Sequence, residues 1–184
     1  MDKSNYKPVN YSRTTITELM IPSYANFGGK IHGGILLSLM DKVAYACAAK
    51  HSGNYCVTVS VDTVDFLEPV EVGELVSLHA SVNYVGKTSL VIGIKVISEN
   101  VTTGTAKHTN TSFFTMVSKG LDNKLREVPG LILEDREDVR RYLEAIKRKE
   151  LKNNYKEELN NQKTRLTVEN EIHKLDKERC LIKR

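Results

Sequence analysis

The sequence predicts an α+β domain in which one long helix lies against an antiparallel sheet, and three observations carry that prediction. Residues 33–50, GGILLSLMDKVAYACAAK, are rich in helix formers, lack proline, and place apolar side chains on almost every side of a helix. Four stretches of strand character follow at 55–66, 75–85, 89–101 and 105–117, joined by short links that carry Pro69 and Gly73, Gly86, and Gly104. The last 50 residues hold 26 charged side chains and no glycine or proline, so they favour helix yet cannot build a core of their own.

Each element has its own signal. Around 11–21 the run Thr14, Thr15, Ile16 and Thr17 is β-prone, and Pro22 closes it, which predicts a first strand. A helix apolar all round must be covered all round. In 55–66, Val57, Val59 and Val61 share one face while Val64 and Phe66 lie on the other parity, and a bulge near Asp62 and Thr63 would reconcile them. The two central strands keep clean alternation, from Val76 to Tyr84 and from Leu90 to Val96, and short links make them an antiparallel meander. One sheet covers only part of such a helix. The remainder calls for a second copy of the chain, so a homodimer is expected.

Charge divides the chain unevenly. Residues 1–134 hold 12 basic and 12 acidic side chains, whereas 135–184 hold 15 and 11, so the tail carries the whole net charge of +4. This predicts a core domain over 1–134 and a charged, mainly helical extension over 135–184. In the extension Leu143, Ile146, Leu151, Tyr155, Leu159, Ile172 and Leu175 recur at short helical spacings, but heptad phase fails at Asn160 and Asn161. One helix over about 135–153 and a frayed second one are expected. Its interleaved charges, without aromatic residues between them, read as a solvated face rather than a nucleic-acid surface.

Several classes are excluded on composition. The apolar run at 35–40 is cut by Asp41 and Lys42, far short of the roughly 20 residues that a spanning helix requires. The first fifteen residues have no apolar signal core, which points to the cytoplasm. Cys47, Cys56 and Cys180 are scattered and odd in number, so neither disulfides nor a zinc site is expected, and the five histidines keep no metal-ligand spacing. No phosphate-binding or dinucleotide fingerprint occurs, so no cofactor is expected.

The residue that most needs a reason is Asp41, a carboxylate midway along an apolar helix. Burying it costs several kcal/mol unless it is paired or used, and an apolar setting makes a carboxylate a better proton acceptor. Gly33 and Gly34 open the helix, where unpartnered N–H groups and the dipole suit a developing oxyanion. Asn26 precedes them in a turn-like NFGG. His32 invites a hydrolase reading, but no nucleophile elbow accompanies it and shaping the loop is the simpler role. Gly86, Lys87, Thr88 and Ser89 make a polar hairpin that could meet phosphates.

Three segments, NFGGKIHGGILLSLMDKVAYACAAKH at 26–51, VTVSVDTVDFLEPVEVGE at 57–74 and VGKTSL at 85–90, together resemble the hot-dog-fold acyl-coenzyme A thioesterases, in their order and spacing. The resemblance runs over about 12–119. It implies a hot-dog fold, a sheet wrapped around a long central helix, with dimers that assemble into trimers of dimers. It implies hydrolysis of an acyl-CoA thioester to a free acid and CoA at the dimer interface. Asp41 matches the family's catalytic aspartate, as general base or nucleophile, and the Gly34 amide would polarise the carbonyl. Asn26 would come from the facing subunit to orient water or the carbonyl oxygen. Lys87, Thr88 and Ser89 lie where the family contacts CoA, Thr58 and Ser60 lie beside the expected acyl and pantetheine channel, and His32 and Gly33 would border the substrate. Two other readings stay open: hydratase or dehydratase chemistry on acyl thioesters, which needs a histidine paired with a carboxylate, and a noncatalytic acyl-CoA sensor.

Overall fold

The computed structural model describes residues 5–183. Backbone contacts divide the chain into two compact units, Met1–Ala145 and Ile146–Arg184.

In the first unit the chain begins with a three-residue strand β1 (Tyr6–Pro8) and one turn of helix α1 (Val9–Ser12), then strand β2 (Thr14–Leu19). After a 3-10 turn at Pro22–Tyr24 comes the long helix α2 (Gly33–Ser52). Strands β3 (Tyr55–Val61), β4 (Glu74–Val85), β5 (Ser89–Asn100) and β6 (Thr105–Lys119) complete a five-stranded antiparallel sheet in the order β2-β4-β5-β6-β3. This is the helix-and-curled-sheet architecture of a hot-dog fold. A short β7 (Gly130–Ile132) pairs in parallel with β1.

Alternation explains the layering. Val76, Leu78, Ala80 and Val82 on β4, Leu90, Ile92, Ile94 and Val96 on β5, and Phe114 and Met116 on β6 are buried, and they meet Leu36, Met40, Val43, Ala44, Cys47 and Ala48 on one side of α2. The other side of the helix stays open: Leu37, Asp41 and Tyr45, four residues apart, are all exposed on the single chain. The sheet thus covers half of an all-apolar helix. An uncovered stripe four residues wide in period is what a second copy would have to meet.

Sequence expectations differ in detail. The strand expected over 55–66 ends at Val61, and the register break lies between Thr58 and Ser60 rather than at Asp62 and Thr63. Beyond it the chain still follows β6 through Asp62 N–H to the Phe113 carbonyl (2.9 Å) and Leu67 N–H to the Thr109 carbonyl (3.0 Å). The first strand is shorter than expected, because residues before Thr14 form β1 and α1 instead.

Those amino-terminal pieces are fixed to the end of α2. Lys7 Nζ donates to the His51 carbonyl (2.7 Å), and the fully buried His51 ring bridges Ser12 Oγ (3.3 Å) and the Pro129 carbonyl (3.0 Å). Helix α3 (Arg136–Arg165) starts with the buried Asp138, which accepts from Arg13 Nη2 at 2.9 Å and from Glu134 N–H at 3.3 Å. Helix α3 runs straight through Asn153, Asn154, Asn160 and Asn161, twelve residues past the expected end at 153. Asparagine costs a helix only a few tenths of a kcal/mol. In the second unit, a short helix α4 (Val168–Glu171) and a 3-10 turn (Ile172–Lys177) follow.

Candidate functional site

The helix start is built by its own N-cap. His32 is extended (φ −64°, ψ 127°), and its Nδ1 accepts from Gly34 N–H at 2.9 Å. A β-carbon at Gly34 would stand 3.0 Å from this ring, and one at Gly33 would stand 3.2 Å from the Phe66 ring. Side chains of this chain thus crowd the space where either glycine would carry a β-carbon. Gly34 N–H, expected to be open, is held by His32. The Gly33 N–H makes no hydrogen bond among the described residues. Phe66 is the residue whose place here sequence reasoning missed; its one signal was that it lies on the opposite parity to Val57, Val59 and Val61.

Asn26 forms the corner of a tight loop. Its Oδ1 accepts from Gly28 N–H (2.8 Å) and Lys30 N–H (3.2 Å), its N–H donates to the Lys30 carbonyl (2.7 Å), and Gly29 adopts φ 78°. The loop is tied back by bridges from Ala25 to Ile31 and from Lys30 to Glu71, with an ion pair between Lys30 and Glu71. With Oδ1 occupied, the amide Nδ2 is what Asn26 has left to offer. Phe27 at the tip is fully exposed.

Asp41 lies seven residues after Gly34, on the same face of α2 and about 10 Å along its axis. It is exposed on the single chain, on the helix side that the sheet leaves uncovered. Among the described residues its hydrogen-bond partner is Thr58, whose Oγ1 donates to Asp41 Oδ1 at 2.6 Å. Thr58 sits on β3 beside the register break, and Met116 Sδ, 3.0 Å from Oγ1, is a second and weaker acceptor for its single hydroxyl proton. Ser60, just past the break, pairs with Thr115.

The hairpin residues divide between the two faces of the sheet. Ser89 pairs with Val117 and Thr58 with Met116, adjacent positions on β6 whose side chains point to opposite faces. Thr58 and Asp41 thus share the helix side, while Ser89 faces the other. The turn is closed by Gly86 N–H to the Ser89 carbonyl (2.8 Å) and held by Ser118 N–H to the Thr88 carbonyl (2.9 Å). Lys87 pairs with Glu127 at 3.2 Å, both well exposed, so any phosphate must compete with that carboxylate. Among the described residues no cluster of three His, Cys, Asp or Glu side chains could hold a metal ion, and no helix is long and apolar enough to cross a membrane.

Residues 28–105 match the family model described as "Thioesterase superfamily". VdlD of Helicobacter pylori is 43% identical over 141 residues, covering 77% of this chain and 80% of that protein. YkhA of Bacillus subtilis, described as an uncharacterized acyl-CoA thioester hydrolase, is 33% identical over 145 residues, covering 79% of this chain and 84% of its own. The chain belongs to the thioesterase superfamily. Among solved members of that superfamily, an apo-hexameric acyl-CoA thioesterase superposes with a TM-score of 0.79 at 36% identity, covering 82% of this chain and 96% of that one. The acyl-CoA hydrolase of Staphylococcus aureus, solved with butyryl-CoA and CoA, superposes at 0.77 with 27% identity over 85% of this chain and 96% of its own. Variants of that enzyme replace by alanine an asparagine, an aspartate and a threonine separated by 15 and 17 residues. Asn26, Asp41 and Thr58 are separated by the same intervals.

Proposed function

We propose that this member of the thioesterase superfamily hydrolyses acyl-CoA thioesters and does so with Asp41, held by Thr58, as the group that activates water. The observation that carries this reading is the 2.6 Å Thr58–Asp41 hydrogen bond on the uncovered face of α2. A carboxylate fixed by one hydroxyl keeps one oxygen for water and is aimed rather than free to rotate. The spacing shared with the residues replaced in the S. aureus enzyme supports the same trio.

The steps follow from what each group has left over. The thioester carbonyl oxygen sits at the start of α2, polarised by helix amides: Gly33 N–H directly, and Gly34 N–H once the oxygen takes the place of His32 Nδ1. Asp41, about 10 Å along the helix face, takes a proton from a water that fills the gap to the carbonyl carbon. The hydroxide adds, the tetrahedral intermediate collapses, and CoA leaves as thiolate, which the proton on Asp41 neutralises. Asn26 of a facing subunit donates its Nδ2 to the water or to the carbonyl oxygen. Direct attack by Asp41 is the variant in which the carbonyl carbon lies against the carboxylate with no water between; CoA leaves as thiolate, and water then cleaves the anhydride to the free acid. A homo-oligomer is part of this reading, since Leu37, Asp41 and Tyr45 lie open on one chain. Lys87, Thr88 and Gly86 offer a turn to the CoA phosphates, with Ser89 turned to the outer face.

Hydratase chemistry is less favoured, because His32 is bonded to Gly34 N–H and to no carboxylate among the described residues. The test is release of CoA thiol from acyl-CoA by the purified full chain, read with a disulfide dye. Turnover that vanishes in Asp41→Ala while CoA still binds supports the reading. Full turnover in that variant defeats it, and binding without any thiol release by the unaltered protein would instead mark a sensor.

A further inference from the structure

We propose that the carboxy-terminal half of α3 lies flat on anionic phospholipid surfaces, anchored by Leu151, Tyr155 and Leu159 and by the lysines that border them. Between 146 and 165 the helix carries seven basic and three acidic residues. Leu151, Tyr155 and Leu159 are four residues apart and form one stripe, and Leu151 and Tyr155 are each 66% exposed. At about 100° per residue, Lys149, Lys152, Lys156 and Lys163 all fall on one flank of that stripe. Glu150 and Glu157 fall on the opposite side of the helix, Glu158 on the other shoulder with Lys147 and Arg165, and the half-buried Arg148 on the stripe itself, between Tyr155 and Leu159. Charge is therefore segregated along the helix, with a lysine row beside an apolar row, which is how an interfacial helix is built.

The same arrangement argues against a second copy as the occupant. Antiparallel pairing through the stripe sets the lysine flank of one helix against the lysine flank of the other. Parallel pairing sets it against Lys147, Glu158 and Arg165, which are net positive. Neither neutralises the row. A surface of dispersed negative charge with an apolar interior satisfies both rows at once. No helix among the described residues is long and apolar enough to cross a membrane, so the contact is peripheral.

The experiment is co-sedimentation of the full chain with phosphatidylcholine vesicles, with and without phosphatidylglycerol, at low and high salt. Binding to the anionic vesicles alone, relieved by salt, is expected. The double variant Lys152→Glu/Lys156→Glu should weaken it about tenfold or more, and Leu151→Ser/Tyr155→Ser should weaken it as well. Thiol release from a short, soluble acyl-CoA should be unchanged in both, which separates this inference from the catalytic reading. Equal binding to neutral vesicles overturns it, as does no binding to either. A change in oligomer mass in the stripe variant would assign the stripe to a second copy, and retention on duplex DNA without vesicle binding would assign the lysines to nucleic acid; either outcome refutes the proposal.

Discussion

Thr58 Oγ1 donates a 2.6 Å hydrogen bond to Asp41 Oδ1, joining the edge strand β3 to the open face of α2. The bond spans two elements that pack through Cys56 and Met116 beneath it, so the carboxylate is aimed by the core and not by its own rotamer alone. Asp41→Asn keeps the shape and removes the proton acceptor, and should lower kcat by about 10²- to 10⁴-fold. Thr58→Val keeps volume and removes the donor. It should lower kcat by about tenfold with little change in KM, because a hydrogen bond to a charged group is worth about 1.5–3 kcal/mol and this one is partly solvated. Steady-state kinetics on one acyl-CoA checks both. A Thr58→Val enzyme with normal kcat would mean that Asp41 needs no aiming.

The cap at the helix start predicts a change of sign. Alone, Gly34→Ala crowds the His32 ring, whose atoms would stand 3.0 Å from the new β-carbon, and so disturbs the cap. In a His32→Ala background that conflict is gone, and alanine should stabilise the helix by up to about 1 kcal/mol relative to glycine. His32→Ala by itself should cost about 0.5–2 kcal/mol as a lost N-cap. Denaturant midpoints of the four proteins measure the coupling. Additive effects would show that the ring moves aside freely, and that Gly34 N–H is open whenever substrate arrives.

The helix and the meander were legible because each rests on a local pattern: an apolar run of helix length, period-two alternation and glycine turns, with motif segments in order to point at a candidate site. Asp41 and Thr58 could each be singled out, but not their hydrogen bond, since their 17-residue separation encodes no contact until β3 is docked against α2. The surroundings of Asp41 are open for a similar reason: a helix apolar all round tells that something covers it, and on the single chain this face is exposed. Gly33 and Gly34 were legible as a helix start, but Phe66, which fills the space beside Gly33, is a tertiary neighbour, and the ring of His32 turns back onto Gly34 only once the N-cap has formed. β1 and β7 escaped because three-residue strands carry no periodicity.

The thiols should respond unequally to alkylation. Burial pushes the Cys47 thiol up to about 12, against smaller opposing effects of Ser12 and Lys50, and burial also raises Cys56 despite Ser52 beside it. Cys180 is exposed. In the native protein a disulfide dye should therefore titrate about one thiol per chain quickly, and Cys180→Ser should abolish the fast phase. Fast labelling of Cys47 or Cys56 in folded protein would show that the sheet opens over the carboxy-terminal half of α2. The same result bears on the thiol-release assay, whose background comes from Cys180.

Acid should loosen the amino-terminal strap through His51. Its ring is fully buried between Ser12 Oγ and the Pro129 carbonyl. Burial holds its pKa below the ordinary value of 6.5; the Pro129 carbonyl works the other way, and Lys7 adds to the lowering. The fold thus prefers the neutral ring. Its contribution to stability is complete above the ordinary value, and it drains away as pH falls from there towards the lowered value in the fold, because the unfolded chain binds the proton first. Urea midpoints from neutral pH down through this window should fall for the unaltered protein. His51→Gln can keep a donor for the Pro129 carbonyl but cannot charge, so it should start less stable and decline less steeply. An equal slope in the variant would move the acid sensitivity to some other group, and a flat slope in the unaltered protein would show that the buried ring accepts its proton at no cost.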